Sequence, residues 1–513
     1  VMSTRLADTV SVVLGDGAER ALVALVRVEY LDGEPDTYVL PLAFAAGEAG
    51  EIVCHDHPSA ALARVTMRGG EDGVLYDAHW HAQFGPALVQ AMTRRRRFAG
   101  TAAELAGVGY PPMHAALDGE SVNDLYAQVL RSEQSNTSIQ IGDRLIVKTF
   151  RRLEPGVNPE LEMGLFLNEH APGLVPAVAG SLEYRARRQA PTTVAITHRY
   201  VANESDAWTH TVGAASQYLE RVPGVTATAE ERHVDPPVAA PGIDLVGQDP
   251  PELLDELLGD FLPSAEVLGA RTAELHRALA SDPKDRAFAP EPVTALSQRA
   301  LYQSMRNSAR RALRLLRRGL GGLAEAEHAE AEKVLTLEGD VLDRLRGVTA
   351  VTSGVRIRHH GDLHLGQILS TGRDFVIIDF EGEPARPVAE RRTRRSPMRD
   401  VAGMLRSFHY AAYAGLRDLI ARGASPGDEQ GRLALRPWAE VWASWVSAAF
   451  LTSYLEGMAS TGLLPAPREQ LRVCLDAHVL DKALYELGYE LGSRPDWVGI
   501  PLTGIVSILE AHA

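Results

Sequence analysis

The chain has 513 residues, 45% of them hydrophobic and 23% charged, and a formal charge of −15 at pH 7. That length suits two or three domains with real cores, and the acidic balance excludes a nucleic-acid binder, whose footprint would be basic. Only Cys54 and Cys474 occur, no apolar run nears the roughly 20 residues of a membrane span, and no secretory leader opens the sequence, so a soluble cytoplasmic protein is expected.

Residues 1 to about 90 read as β-rich. Ser11–Leu14, Arg20–Tyr30 and Tyr38–Phe44 are strand-like runs, with a turn signal at Asp32-Gly33. Cys54-His55-Asp56-His57 has no second half elsewhere and reads as a turn. Residues 77–93 turn helical, with Phe84, Leu88, Val89 and Met92 at helical spacing. The runs Arg94–Arg97 and Arg391–Arg395 read as solvated helix ends or loops. Residues 1–125 are therefore expected to form a cap domain that docks or regulates.

From Ala127 the pattern is strand, small polar turn, strand. Backbone amides around Ser135, Asn136, Thr137 and Ser138 could cradle phosphate oxygens, although the turn lacks the glycines of phosphate-binding loops. Lys148 stands on the apolar strand Leu145–Phe150, where burial is costly without an anionic partner; an edge-strand lysine facing water is the bland alternative. Asn158 and Pro159 open a helix as N-cap and first residue. Glu162 is the first choice of partner for Lys148, and Glu160 the second. A strand over 192–201 then leads through Tyr200 and Val201 to a position from which a kinase hinge offers backbone groups to adenine. Residues 126–206 make up this expected N-lobe.

Trp208–Arg221 reads as helix, and 222–251 as a surface insertion or mobile linker. Helical stretches follow near 252–281, 296–320 and 323–345, the arginines of 306–318 forming a solvated face. Next comes V-R-I-R-H-H-G-D-L-H-L-G-Q-I-L-S-T-G-R-D-F-V-I-I-D-F-E-G over Val355–Gly382. Asp362 lies in a polar loop, Gln367 five residues on, and Asp379 at the end of an apolar run. Phosphoryl transfer demands a carboxylate to receive the acceptor's proton, and oxygen donors for magnesium. Asp362, Gln367 and Asp379 are those types in the order of a kinase catalytic loop and metal loop. His360 and His364 stand four apart, but Gly361 separates them and no glutamate follows His360, so zinc is set aside. The ring of His360 is expected to lock the loop beside the substrate, with Glu381 on the same side. The rest of 207–513 is mostly helical, near 400–416, 437–460 and 467–491.

Lys482, Tyr485 and Tyr489 fall on one face of the last of these helices, with Glu486 at its edge. Aromatic and aliphatic stems with polar tips suit a hydroxyl-rich sugar; half-buried packing is the competing explanation. Arg494-Pro495-Asp496-Trp497 stops that helix and is placed to close the same pocket.

With Glu133–Ser138, Leu145–Phe150, Asn158–Gly164, His360–Gln367, Ile378–Pro387 and Arg399–Phe408 set out, the sequence resembles the actinobacterial maltokinases and the kinase portion of trehalose synthase/maltokinase fusions, within the aminoglycoside-phosphotransferase-like superfamily. The resemblance spans most of 125–500. It implies an α+β, bilobal protein-kinase-like fold with a β-rich N-terminal cap and a mostly helical C-lobe, ATP and Mg2+ as cofactors, and transfer to the anomeric hydroxyl of maltose to feed α-glucan synthesis. It makes Asp362 the base, Gln367 and Asp379 the metal ligands, Lys148 the phosphate contact, and Lys482, Tyr485 and Tyr489 the sugar contacts. Asp379-Phe380-Glu381 stands where protein kinases have Asp-Phe-Gly, so no mobile glycine hinge is expected. The chain opens on Val1-Met2 without the Arg-Trp-Phe opening of the cap, and 222–251 has no counterpart. One alternative keeps the chemistry and changes the acceptor to glucosamine or another small amine, favoured by acidic Glu381, Glu383 or Glu486. The other is a non-catalytic partner that regulates a trehalose synthase.

Overall fold

A computed structural model describes residues 1–15, 17, 19–130, 136–227, 239–383, 386–423 and 429–510. The chain forms two compact units: Val1–Ala202 with Pro384–Arg391, and Asn203–Glu383 with Arg392–Ala513.

The N-terminal unit is built on two antiparallel sheets. In the first, Ser3–Leu14, Glu19–Glu29, Asp36–Ala46, Asp72–Asp77 and Ala61–Thr66 are neighbours in that order, and Arg152–Leu153 also pairs with Asp36–Ala46. In the second, the order is Arg97–Ala99, Glu104–Gly109, Val178–Arg185, Thr192–Arg199, Leu145–Phe150, Asn136–Ile141, Ala127–Leu130. Alternation of buried and exposed residues sends one face of each sheet inward. The helix Phe84–Thr93 buries Phe84, Leu88, Val89 and Met92, the residues its spacing singles out. Residues 1–125 and the expected N-lobe of 126–206, read from the sequence as two domains, thus share, as far as Ala202, the seven-stranded sheet and one hydrophobic core running from Val10 to Ala195.

Two local expectations change. Cys54, His55 and Asp56 end the helix Gly47–Asp56 instead of forming a turn. The run Arg391–Arg395 is not solvated: the Arg391 side chain is 5% exposed and pairs with Glu154 at 2.5 Å, while Arg394 pairs with Glu291 at 2.8 Å. Carboxylates supplied by distant parts of the chain draw these guanidinium groups in, which no local pattern shows.

The C-terminal unit is mostly helical. Its long helices are Ala207–Ala227, Leu262–Leu279, Ala295–Gly319, Met398–Ala421, Glu429–Met458 and Arg468–Ser493. Met398–Ala421 is buried along most of its length. Two small sheets carry the catalytic stretch: Ser205–Asp206, Ile368–Ser370 and Phe375–Ile377 form one, and Glu291–Pro292 pairs with Val355–Arg356 in the other. The expected 222–251 insertion is helical to Ala227 and has a 3-10 turn at Gly242–Asp244, while 228–238 lie outside the described residues. Among the described residues, no helix is long and apolar enough to cross a membrane.

Candidate active site

The loop that carries Asp362 is held from below by Asp400, 1% exposed near the start of the Met398–Ala421 helix. His360 N donates to Asp400 Oδ2 at 2.7 Å, Gly361 N to Oδ1 at 2.9 Å, and the buried His276 Nε2 to Oδ2 at 3.2 Å. Burial opposes the charge of Asp400, but the His276 hydrogen bond and the neighbouring histidines hold its pKa well below the usual carboxylate range. Gly361 has φ +90°, a conformation that side chains disfavour, and this turns the chain toward Asp362.

His360 itself is 1% exposed. Its Nε2 donates to the Ile378 carbonyl at 2.9 Å, and its Nδ1 accepts from Asp362 N at 3.4 Å. Both ring nitrogens are engaged, so His360 is a lock and not the substrate contact also expected of it. The bond it makes reaches the residue before Asp379, whose φ of +63° is costly for a non-glycine residue and is a mark of functional sites. Ile378 N donates to the Gln367 carbonyl at 2.9 Å, so the two expected metal ligands sit on adjoining backbone. Replacing His360 by Phe should cost about 1–3 kcal/mol in urea unfolding, because the Ile378 carbonyl loses its donor; an unchanged midpoint would show that the lock is dispensable.

Asp362 Oδ1 accepts from Lys482 Nζ at 3.2 Å. Burial raises the Asp362 pKa, but the Lys482 ammonium, with His364 and His360, more than offsets this and keeps it lowered. Lys482 is one of four lysines in a chain with 48 arginines. Its ammonium lies 5.2 Å from the Tyr485 ring centroid, and Arg494 lies 5.4 Å from that of Tyr489. Tyr485 and Tyr489 are 38% and 50% exposed. Glu486 and Glu383 are each committed to an arginine, Arg406 at 2.8 Å and Arg399 at 3.1 Å. Glu381 is half-buried.

In the N-terminal unit Lys148 is on an inner strand, opposite Ile196 on one side and Ser138 on the other. Its Nζ donates to Glu160 Oε2 at 3.0 Å, and His198 Nε2 meets Glu160 Oε1 at 3.1 Å. Glu160, not Glu162, is therefore the partner. Asn158 caps the helix by accepting from Glu160 N at 2.8 Å, and the helix phase that follows leaves Glu160 buried and Glu162 half-buried. Burial opposes the Glu160 charge, but Lys148 and then His198 outweigh it and lower its pKa. Asn136, Thr137 and Ser138 lie buried in the strand Asn136–Ile141 and not in a turn, because they pair in register with Phe150, Thr149 and Lys148. Ser135 lies outside the described residues. Tyr200 N donates to the Arg144 carbonyl at 2.8 Å, and Tyr200 and Val201 fall just before the end of this unit at Ala202.

Asp400, His276 and His198 went unremarked as site residues. A carboxylate in the first turn of a helix rich in apolar residues is the available signal for Asp400; the two histidines carry none.

No family model matches the chain. A glucosamine kinase of Mycolicibacterium smegmatis is 25% identical over 383 residues, covering 74% of this chain and 78% of that protein. Another, of Streptacidiphilus jiangxiensis, is 30% identical over 150 residues, 29% of this chain and 30% of the other. A solved glucosamine kinase in complex with glucosamine, ADP and inorganic phosphate superposes with a TM-score of 0.61 at 20% identity, covering 98% of this chain and 93% of that one. A second crystal form gives 0.62, covering 99% and 94%. These relatives support the kinase part of the sequence expectation and lend nothing to maltose as its acceptor. This chain has the α+β kinase fold that the solved glucosamine kinases display.

Proposed function

We propose that the chain is an ATP-dependent sugar kinase whose acceptor is an amino sugar, glucosamine before maltose. The observation that carries the kinase reading is the half-buried Asp362–Lys482 pair, on a loop tied down by Asp400 and His360. The relatives' names favour the amino sugar over the maltose of the sequence expectation.

In this reading an acceptor hydroxyl oxygen bonds to the terminal phosphorus of ATP, the bond to ADP breaks, and the hydroxyl proton passes to Asp362. Lys482 keeps that carboxylate ionised and oriented until the proton arrives. Lys148, fixed by Glu160, is the phosphate contact of the N-terminal unit. The amide oxygen of Gln367 and the carboxylate of Asp379 are hard donors of the kind magnesium takes, and they would hold it. Bound there, the ion neutralises charge on the phosphates. Tyr485 and Tyr489 offer exposed ring faces to a sugar.

A coupled ADP-release assay with glucosamine, maltose, glucose and an aminoglycoside tests the acceptor. Glucosamine is expected to give kcat/KM at least tenfold above maltose. Maltose as the better acceptor would restore the first sequence expectation, and no turnover with any sugar would remove the kinase reading.

A further inference from the structure

Within the C-terminal unit, the helices Met398–Ala421, Glu429–Met458, Arg468–Ser493 and Gly499–Glu510, with residues 239–243, line a half-open cavity of about 140 Å3. An engineered cavity of about 150 Å3 takes up a ring-sized molecule, so this one has room for a small ligand. Its polar lining is Arg406, His409, Glu440, Asp476 and the serines 444, 447 and 507.

Arg406 is the unusual member. It is 3% exposed; its Nε donates to Glu486 at 2.8 Å and its Nη1 to His409 Nδ1 at 3.2 Å, but Nη2 has no hydrogen-bond partner among the described residues. Buried guanidinium nitrogens are rarely left in that state. Position 504 makes room for the group: a side-chain carbon there would stand 2.2 Å from Arg406 Nη1 and would displace the guanidinium. Because His409 Nδ1 accepts from Arg406, its proton lies on Nε2, a second donor. Burial, Arg406 and Arg436 keep that ring neutral. The two wall carboxylates already have partners: Glu440 accepts from Tyr413 at 2.8 Å and lies 4.0 Å from Arg436, and Asp476 pairs with Arg344 at 3.4 Å and lies 4.0 Å from Arg472. The donors left over call for an acceptor-rich anion, and the serines for hydroxyl groups beside it.

We propose that this cavity binds a small hydroxylated oxyanion, a phosphate or carboxylate on a polyol frame, against Arg406. The site reaches the catalytic loop through two ion pairs. An anion on Arg406 competes with Glu486 for the guanidinium. Glu486, one helical turn from Lys482, then draws Lys482 away from Asp362, and turnover falls. This consequence rests on the assignment of Asp362 as the base; the binding does not.

Isothermal titration of the full chain with glycerol 3-phosphate, glycerate and glycerol tests both. Glycerol 3-phosphate or glycerate should bind one to one and glycerol at least tenfold more weakly. Ser444→Leu and, separately, Ser507→Leu fill the cavity without touching the catalytic groups; each should weaken oxyanion binding at least tenfold with basal turnover within twofold of the parent. Absence of binding up to about 10 mM, equal binding of glycerol, or binding that survives both variants overturns the site. Oxyanion binding that leaves turnover unchanged overturns the link to Asp362, whatever the acceptor sugar proves to be.

Discussion

Asp362→Asn should lower turnover by about 10²–10⁴-fold, the range over which a positioned general base contributes. Asparagine keeps the shape and can still accept the Lys482 hydrogen bond, so circular dichroism and nucleotide affinity should be unchanged while the proton loses its receiver. A rate within a few-fold of the parent would remove Asp362 from the role. The same pair sets an acid limit. Because the Asp362 pKa is lowered by Lys482 after burial has raised it, the carboxylate stays ionised below its ordinary value of 3.8. The acid limb of kcat/KM should therefore lie below that value, in so far as the fold survives there, and move up when Lys482 is replaced by Met.

Lys148→Met should be the most damaging single change to stability. The Lys148 and Glu160 side chains are 7% and 4% exposed, so water screens neither. Removing one partner of such a pair leaves a buried, under-compensated charge and costs roughly 3–5 kcal/mol; urea unfolding would measure it. Lys148→Met with Glu160→Gln removes both charges and should recover part of the loss, which a double-mutant cycle resolves. The sign with pH follows from Glu160. Its folded pKa is depressed from 4.5 to about 2, so its contribution is present above pH 4.5 and is lost as pH falls toward 2. In Glu160→Gln the acid loss of stability should be shallower. Equal acid sensitivity of the parent and this variant would assign that loss to other groups.

Much of this protein was legible in its residues. Asp362, Gln367 and Asp379 stand out by type and spacing, which are those that the proposed phosphoryl transfer needs within one loop and strand turn. The Asn158-Pro159 cap is local chemistry, and so is the inward face of Phe84, Leu88, Val89 and Met92. Lys148 stood out because an ammonium on an apolar strand implies a partner.

Tertiary structure decided the partners. Glu160 and Glu162 differ by two positions, and only the seating of their helix on the sheet turns one inward; a strand register, not a loop, claims Asn136–Ser138. Asp400 lies 38 residues beyond Asp362 and Lys482 lies 120, yet one holds the loop and the other the Asp362 carboxylate. Arg406 and its cavity have no local signature, since the packing of four successive helices and of residues 239–243 forms them. The chain thus determined by itself the residue types and short spacings from which the proposed chemistry is read. Which groups fix, ionise and couple that chemistry depended on packing, because burial and charge pairing bring together residues that the sequence keeps apart.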